Sequence, residues 1–330
     1  PLLQPAGPPM QSRARSLGPP SRGLAPYAED RQAHVPCLQK ETVDGLLNPG
    51  RRQADGTYDG VYIDCTFGRG GHCREILSRL SPRGRLYAFD VDPEAVQVAK
   101  ELEAEDARFQ IIHRPFGDLG EAFPDSDKID GIMVDLGVSS PQLDDFHRGF
   151  NIGDRGPPDM RMNQNAGMTV SEWLANVRPE ELAWVIHSYG EDDDALLSER
   201  IAEMILARQR EEGGIHSCKR LADIIRSAKG SYDDNMHPAK LTFQALRVFI
   251  NQEMQQMDKL LEAGMDRLVM GGRFAIITFK KKEANVVRQF VRKHEDPDRY
   301  LCSLLSKERL CELYPLLLTG KPFSVEQIDS

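Results

Sequence analysis

The feature that most constrains the fold is a loop with three glycines in four residues, Gly68-Arg69-Gly70-Gly71. A short apolar run at residues 61–63 leads into it, and a helical pattern of apolar residues from 73 to 80 follows it. A loop with few side chains lets a ligand approach the backbone, and the free N–H groups at the start of the following helix favour ligand binding. The sequence therefore predicts a ligand-binding turn between a strand and a helix.

The same alternation of buried strands and amphipathic helices continues along the chain. Apolar runs predict four further strands, at residues 85–89, 109–112, 129–136 and 273–279. Helical patterns lie at residues 93–102 and 241–270, and Gly271-Gly272 is expected to end the second. Alternating strands and helices indicate an α/β fold with a parallel sheet.

About a hundred residues between the fourth strand and the long helix show no strand pattern. They contain four amphipathic helical patterns, at residues 170–177, 179–189, 198–210 and 219–228. A connection of this length must carry its own structure. We therefore predict a core made of residues 34–142 and 238–330, with a helical insertion domain at 143–237.

Two aspartates at predicted strand ends suggest what the loop binds. Asp90 ends the second strand, 22 positions after Gly68, where an acid typically binds ribose hydroxyls. Asp135 ends the fourth strand, so both should face one crevice at the carboxyl ends of the strands. Together they indicate an adenosyl cofactor. The G-x-G-G spacing favours S-adenosylmethionine over NAD, and a tight turn capped by an acid is the structural alternative.

Composition excludes several other classes of protein. No run approaches the roughly 20 apolar residues of a membrane-spanning helix. Six cysteines without a C-x-x-C pair argue against a zinc ribbon or a disulfide scaffold, and we expect no metal. The net charge of −9 is unlike that of a general nucleic-acid binder. Residues 270–295 nevertheless hold seven Lys and Arg against two acids, which indicates either a basic face or a solvated helix surface.

Residues 1–33 differ from the rest of the chain. They are rich in Pro, Gly, Ser and Arg, with no acid before Glu29. Such a segment buries too little surface to offset its ordering entropy, so we predict a disordered leader. Arg-rich, acid-poor leaders also resemble transit peptides, which favours a mitochondrion or plastid. The alternatives are an ordinary disordered tail, an artefact of upstream translation and, for the location, the bacterial cytoplasm.

Five motifs in order carry a resemblance to a known family. They are DCTFGRGGH (64–72), DVDP (90–93), DLGVSSPQL (135–143), GPPDMRM (156–162) and TFQALR (242–247). From about residue 34 onward the chain resembles the RsmH (MraW) family of small-subunit rRNA (cytosine-N4)-methyltransferases, found in bacteria and organelles. The resemblance implies a class I S-adenosylmethionine-dependent methyltransferase with a Rossmann-like sheet and a helical insertion domain for the RNA substrate.

The resemblance also implies a function and its residues. The function is N4-methylation of a cytidine in small-subunit rRNA during rRNA processing and ribosome biogenesis, on free rRNA or a ribosomal particle. The positions that match the family's S-adenosylmethionine site are Gly70, Gly71, His72, Asp90, Phe116, Asp135 and Gln142. The oligomeric state is left open, with a homodimer as one candidate.

The chemistry of the cytosine amine indicates which residues are candidates for catalysis. The amine of cytosine is a poor nucleophile, so the site must accept its hydrogen bonds and take up its proton. We expect Asp135, Ser139 and Ser140 to do this, with Asp135 as the hypothetical general base and backbone carbonyls as the alternative. Charged side chains elsewhere are candidates for holding RNA or for a solvated surface: Asp159, Arg161, Arg247, Lys280, Lys281 and Lys282.

Departures from the family pattern keep alternatives open. Where the family reads SFHSLEDR, this chain reads TFKKKEAN at residues 278–285, and HPATRTFQ becomes HPAKLTFQ at 237–244. The main alternative is therefore a degenerate homologue that binds rRNA as a non-catalytic assembly factor. A methyltransferase for another amine is the second alternative, and an NAD dehydrogenase is the most distant.

Overall fold

The computed structural model describes residues 36–123, 128–190, 194–230, 236–295 and 299–313. The predicted leader at 1–33 lies outside the described residues.

Five parallel strands form one sheet in the order β3-β2-β1-β4-β5. The strands are β1 Val61–Asp64, β2 Arg85–Phe89, β3 Phe109–Ile112, β4 Ile129–Asp135 and β5 Leu268–Ile277. The predicted α/β fold is thereby confirmed. The strand order reverses between β1 and β4, and a crevice opens beyond the carboxyl ends of the strands at such a point.

The helices precede, connect and follow the strands. Before and within the sheet region they are α1 Gln39–Leu46, α2 Gly71–Arg79, α3 Pro93–Glu105, α4 Leu119–Ala122 and α5 Ser140–Asp144. The helical region contains α6 Val170–Asn176, α7 Pro179–Tyr189, α8 Ala195–Glu212, α9 Cys218–Lys229 and α10 Lys240–Ile250. The remainder are α11 Glu253–Arg267, α12 Lys281–Glu295, α13 Arg299–Leu304 and α14 Lys307–Leu313. No described helix is long and apolar enough to cross a membrane.

Helices α6 to α10 share a hydrophobic core distinct from the clusters that cover the sheet. Leu182 and Ile186 of α7 lie in this core with Phe243 and Leu246 of α10. The four helices predicted between 170 and 228 are thus present and packed together. Because α10 shares their core, it packs with the helical region, although the predicted boundary at 237/238 assigned it to the sheet domain. That division into domains stays a prediction.

The prediction of one long helix at residues 241–270 is wrong. The chain forms α10 and α11, separated by Asn251 and by Gln252, whose φ of 53° is left-handed. The amide of Asn251 donates to the carbonyl oxygen of Met160 (2.7 Å) and accepts from the backbone N–H of Met162 (2.7 Å). These tertiary hydrogen bonds turn the helix at a position that apolar periodicity does not mark.

Strand β5 begins earlier than predicted. Gly271-Gly272 was expected to end a helix, but both lie inside the strand, which starts at Leu268. The pairing with β4 is irregular here, since Leu268 lies opposite Ile129 and Arg273 opposite Gly131. The two glycines, with Gly271 at a φ of 80°, accommodate this bulge.

Candidate active site

The glycine loop between β1 and α2 is held by a buried carboxylate. Asp64 accepts hydrogen bonds from the Thr66 N–H (3.0 Å) and from the Cys73 thiol (3.1 Å). Complete burial raises the pKa of Asp64 to about 7. Gly70 has a φ of 76°, and a Cβ there would meet the ring of Phe67 at 2.7 Å. Backbone conformation and close packing therefore both require glycine at this point of the loop.

A segment that precedes β1 covers the other side of this loop. The side-chain amide of Gln39 donates to the carbonyl oxygen of Gly71 at 2.8 Å. A Cβ at Gly71 would overlap the ring of Pro36. The start of α2 is thus packed against residues that lie more than thirty positions earlier in the chain.

Asp90 contacts the glycine loop directly. Its carboxylate accepts hydrogen bonds from the Gly68 N–H and the Asp92 N–H, both at 2.9 Å. Burial raises the pKa of Asp90 to about 6. The structure therefore brings this acid to the loop, as the 22-residue spacing predicted, while its contact with ribose stays a prediction.

Asp135 lies at the end of β4, beside β1. Its backbone N–H donates to the Thr66 hydroxyl at 2.8 Å, which ties the end of β4 to the glycine loop. Its Oδ1 atom is buried and has no hydrogen-bond partner among the described residues. Burial raises the pKa of Asp135 to about 6, so the carboxyl is ionised at neutral pH. This unpartnered oxygen at the crevice is suited to accept a hydrogen bond from a ligand or substrate.

These residues fit S-adenosylmethionine. The backbone at Gly68–Gly71 gives close access to a ligand, Asp90 offers a carboxylate for ribose hydroxyls, and Asp135 offers an unsatisfied acceptor. Carboxylates at this edge also suit a cofactor that carries positive charge. Among the described residues, no three His, Cys, Asp or Glu side chains are grouped to hold a metal ion.

Three other predicted cofactor residues lie around the same edge. His72 is buried on α2, its Nε2 has no hydrogen-bond partner among the described residues, and burial lowers its pKa. Phe116 follows β3 and packs partly buried against the core of the sheet. Gln142 is buried on α5, and its Oε1 accepts from the Ser139 N–H at 2.9 Å. Direct contact of these side chains with the cofactor stays a prediction.

A buried charge network beside the crevice was missed by the sequence analysis. Gln142 donates through Nε2 to Asp92 at 2.8 Å, and Arg148 donates to the same carboxylate oxygen at 2.9 Å. The side chains of Arg148 and Asp92 are 1% and 5% exposed, so this ion pair is almost completely shielded from water. Because Asp92 also bonds to Asp90 through its backbone, the network fixes the position of the predicted ribose acid.

Arg148 also reaches the loop that precedes the helical region. It donates to the carbonyl oxygens of Arg161 (3.3 Å) and Met162 (2.9 Å). One guanidinium therefore ties the crevice to the GPPDMRM segment. The sequence carries little signal for this, since Arg148 and Asp92 are 56 residues apart.

Most of the charged groups predicted to hold RNA are engaged within the chain. Arg161 forms a two-point ion pair with Asp159 (2.7 and 2.9 Å). Arg247 does the same with Glu253, with both bonds at 2.8 Å. These pairs hold loops and helix ends in place, and a role in RNA contact stays a prediction.

The three lysines that depart from the family pattern have three different environments. Lys282 donates to the carbonyl oxygens of His187 (3.1 Å) and Ser188 (2.6 Å) at the end of α7. The Nζ of Lys280 is buried, and burial lowers its pKa to about 8. Lys281 alone is exposed. Lys281 is therefore the most accessible of the three to RNA, and the RNA contact predicted for them stays a prediction.

The raised carboxyl pKa values predict opposite effects of pH on stability and binding. Asp64, Asp90 and Asp135 take up protons in the folded chain at a higher pH than when unfolded. Their contribution to stability therefore falls as pH rises through these values, and the ligand-free Tm is expected to be higher at about pH 6 than at about pH 8. Cofactor affinity should instead fall as the pH is lowered from about 8 to about 6, because the Asp90 carboxylate takes up a proton and loses its charge.

Thermal melts and cofactor titrations at several pH values measure both effects. Other groups titrate as well, so the difference between the unaltered chain and an Asp90→Asn variant isolates this carboxyl. If the variant shows the same pH dependence of cofactor affinity, Asp90 does not hold the cofactor.

Comparisons with known proteins show which family the chain belongs to. The model of the MraW methylase family matches residues 31–322. The ribosomal RNA small subunit methyltransferase H of Shewanella denitrificans is 46% identical, over 79% of this chain and 80% of its own length. The protein of that name from Shewanella amazonensis is 43% identical over 90% and 92% of the two chains. The chain therefore belongs to the MraW methylase family.

Proposed function

We propose that this chain transfers a methyl group from S-adenosylmethionine to N4 of a cytidine in small-subunit ribosomal RNA. Family membership makes the chain a methyltransferase that uses S-adenosylmethionine. Its relatives carry the name ribosomal RNA small subunit methyltransferase H, which supports rRNA as the substrate. The observation that carries the amine chemistry is the buried, unpartnered oxygen of Asp135 beside the glycine loop.

The residues at the crevice support this reaction by position and charge. The cofactor supplies an activated methyl group on a positively charged sulfur. Asp135 is ionised at neutral pH, so it can accept a hydrogen bond from the cytosine amine and take up its proton. Much of the rate in such a displacement comes from holding the reacting atoms in line. The bond between Thr66 and the Asp135 backbone keeps the acid and the cofactor loop in register.

Ser139 and Ser140 are half-buried and lie at the start of α5, a few residues after the end of β4. They are proposed to add acceptors for the base. A base in structured RNA must be splayed out of its stack to reach such a site. The substrate is therefore expected to present the target cytidine in a single-stranded or easily opened segment.

The non-catalytic alternative receives no support from this geometry. Its basis was the altered segment 278–285, yet Glu283 there is buried and accepts a hydrogen bond from the Phe279 N–H at 2.8 Å. The turn into α12 is therefore well formed despite the changed residues. The contacts of Asp90 and Asp135 with the glycine loop support the catalytic proposal instead.

Transfer of a labelled methyl group tests the proposal. The unaltered chain is incubated with S-adenosylmethionine labelled on the methyl group and small-subunit particles that lack the modification, and nucleosides are then resolved by mass spectrometry. We expect labelled N4-methylcytidine. Cofactor binding without any labelled product would support the non-catalytic alternative. A different methylated product would reject cytosine N4 as the acceptor.

A further inference from the structure

Helix α12 has two faces of opposite character. Val286, Val287 and Phe290 pack against the core that covers β4 and α11. Lys281, Arg288 and Arg292 are exposed, and their spacings of seven and four residues place them on one side of the helix. This basic stripe extends over about 16 Å of the helix axis.

The positive charge of the basic stripe is not neutralised by described neighbours. Within the described part of the chain, Arg288 donates to Asn285 on its own helix, and no acid there pairs with Lys281, Arg288 or Arg292. Lys293 on the same helix, by contrast, pairs with Glu262. On a chain with a net charge of −9, such a stripe favours a strongly anionic partner.

The basic stripe starts beside the methyl-transfer edge, which is the carboxyl edge of the sheet where Asp135 lies. Phe279 precedes α12, and this residue is 58% exposed. A Cβ at Gly137, two residues after Asp135, would lie 4.0 Å from this ring. The carboxylate of Glu283 holds the backbone of Phe279, so an exposed aromatic ring is presented from a fixed position.

We propose that α12 and the preceding Phe279 form a binding surface, called the track below, for the RNA strand that flanks the target cytidine. The ring of Phe279 stacks on a base at the methyl-transfer edge, and Lys281, Arg288 and Arg292 contact successive phosphates. Aromatic stacking combined with a line of cations is how proteins hold single-stranded nucleic acid. This inference rests on the proposed function, because it takes RNA as the substrate.

Salt dependence of RNA binding tests the stripe. The double variant Arg288→Gln/Arg292→Gln is compared with Arg85→Gln/Lys100→Gln, which removes two exposed charges on β2 and α3. Affinity for a single-stranded RNA oligonucleotide is measured at several salt concentrations. The slope of log affinity against log salt is expected to shrink by about 1.4 in the first variant, since each phosphate contact contributes about 0.7. An equal slope in both variants would overturn the track.

Stacking is tested separately. Phe279→Ala is expected to weaken RNA binding by roughly 10- to 100-fold, Phe279→Trp to retain it, and Trp184→Ala, an exposed aromatic on α7, to leave it unchanged. Cofactor affinity should be unaffected in all three. If Phe279→Ala binds RNA normally, the ring is not a stacking surface.

These measurements read RNA binding without catalysis, so the two proposals can fail separately. Normal RNA binding with the expected variant effects but no N4-methylcytidine would reject the proposed function and leave the track standing. Methylation that is unchanged in the α12 variants would reject the track alone. Loss of binding to polyglutamate but not to RNA would assign the stripe to an acidic protein and also overturn the track.

Discussion

Replacing Asp135 with asparagine is expected to lower the single-turnover rate of methyl transfer by about 10²- to 10⁴-fold. The amide keeps nearly the same shape and an acceptor oxygen, but it cannot take up the proton that the cytosine amine releases. The backbone bond from residue 135 to Thr66 does not involve the side chain, so the loop should remain in place. Quenched-flow measurement with saturating cofactor and RNA gives the rate.

A matched substitution separates chemistry from burial. Asp154 is a buried aspartate that shares with Asp135 an unpartnered oxygen and a pKa raised by desolvation, but its backbone contacts Lys219 on α9. Asp154→Asn should leave the rate close to that of the unaltered chain. If Asp135→Asn is equally mild, the proton acceptor must be sought among the backbone carbonyls of the following loop.

The second large effect is expected for stability, from Arg148→Met. The substitution keeps much of the volume but leaves the buried Asp92 carboxylate without its cation. Breaking a buried ion pair from one side costs about 3–5 kcal/mol, because the remaining charge is uncompensated. The free energy of unfolding, measured by denaturant titration, should fall by this amount. Cofactor affinity should also fall, since Asp92 positions Asp90.

The double variant Arg148→Met/Asp92→Asn serves as the control. It removes both charges, so it should be more stable than Arg148→Met alone. A pair that contributes nothing would instead show a loss below about 1 kcal/mol in the single variant. That result would mean that water or Gln142 compensates Asp92.

Much of the sheet could be predicted because its signals are local. The strands at Arg85–Phe89 and Phe109–Ile112 have the predicted bounds, since each is a short apolar run between clear turns. The positions of Asp90 and Asp135 followed from a general property of parallel sheets, in which the carboxyl ends of strands share one edge.

The errors and omissions arise where distant residues decide the local structure. Asn251 interrupts a helix because it bonds to a loop about ninety residues away. The Arg148–Asp92 pair and the bond from Lys282 to the end of α7 also connect remote segments. Periodicity cannot reveal such contacts, because it reports only on neighbours along one element.

The packing of Pro36 against Gly71 links the variation allowed at two distant positions. A relative with alanine at the second position should carry a smaller residue at the first, so the two sites are expected to co-vary. The same contact sets a limit on shortening the chain. A fragment that begins at β1 would contain the whole glycine loop yet lack one of its walls, so the smallest cofactor-binding piece should begin before Pro36.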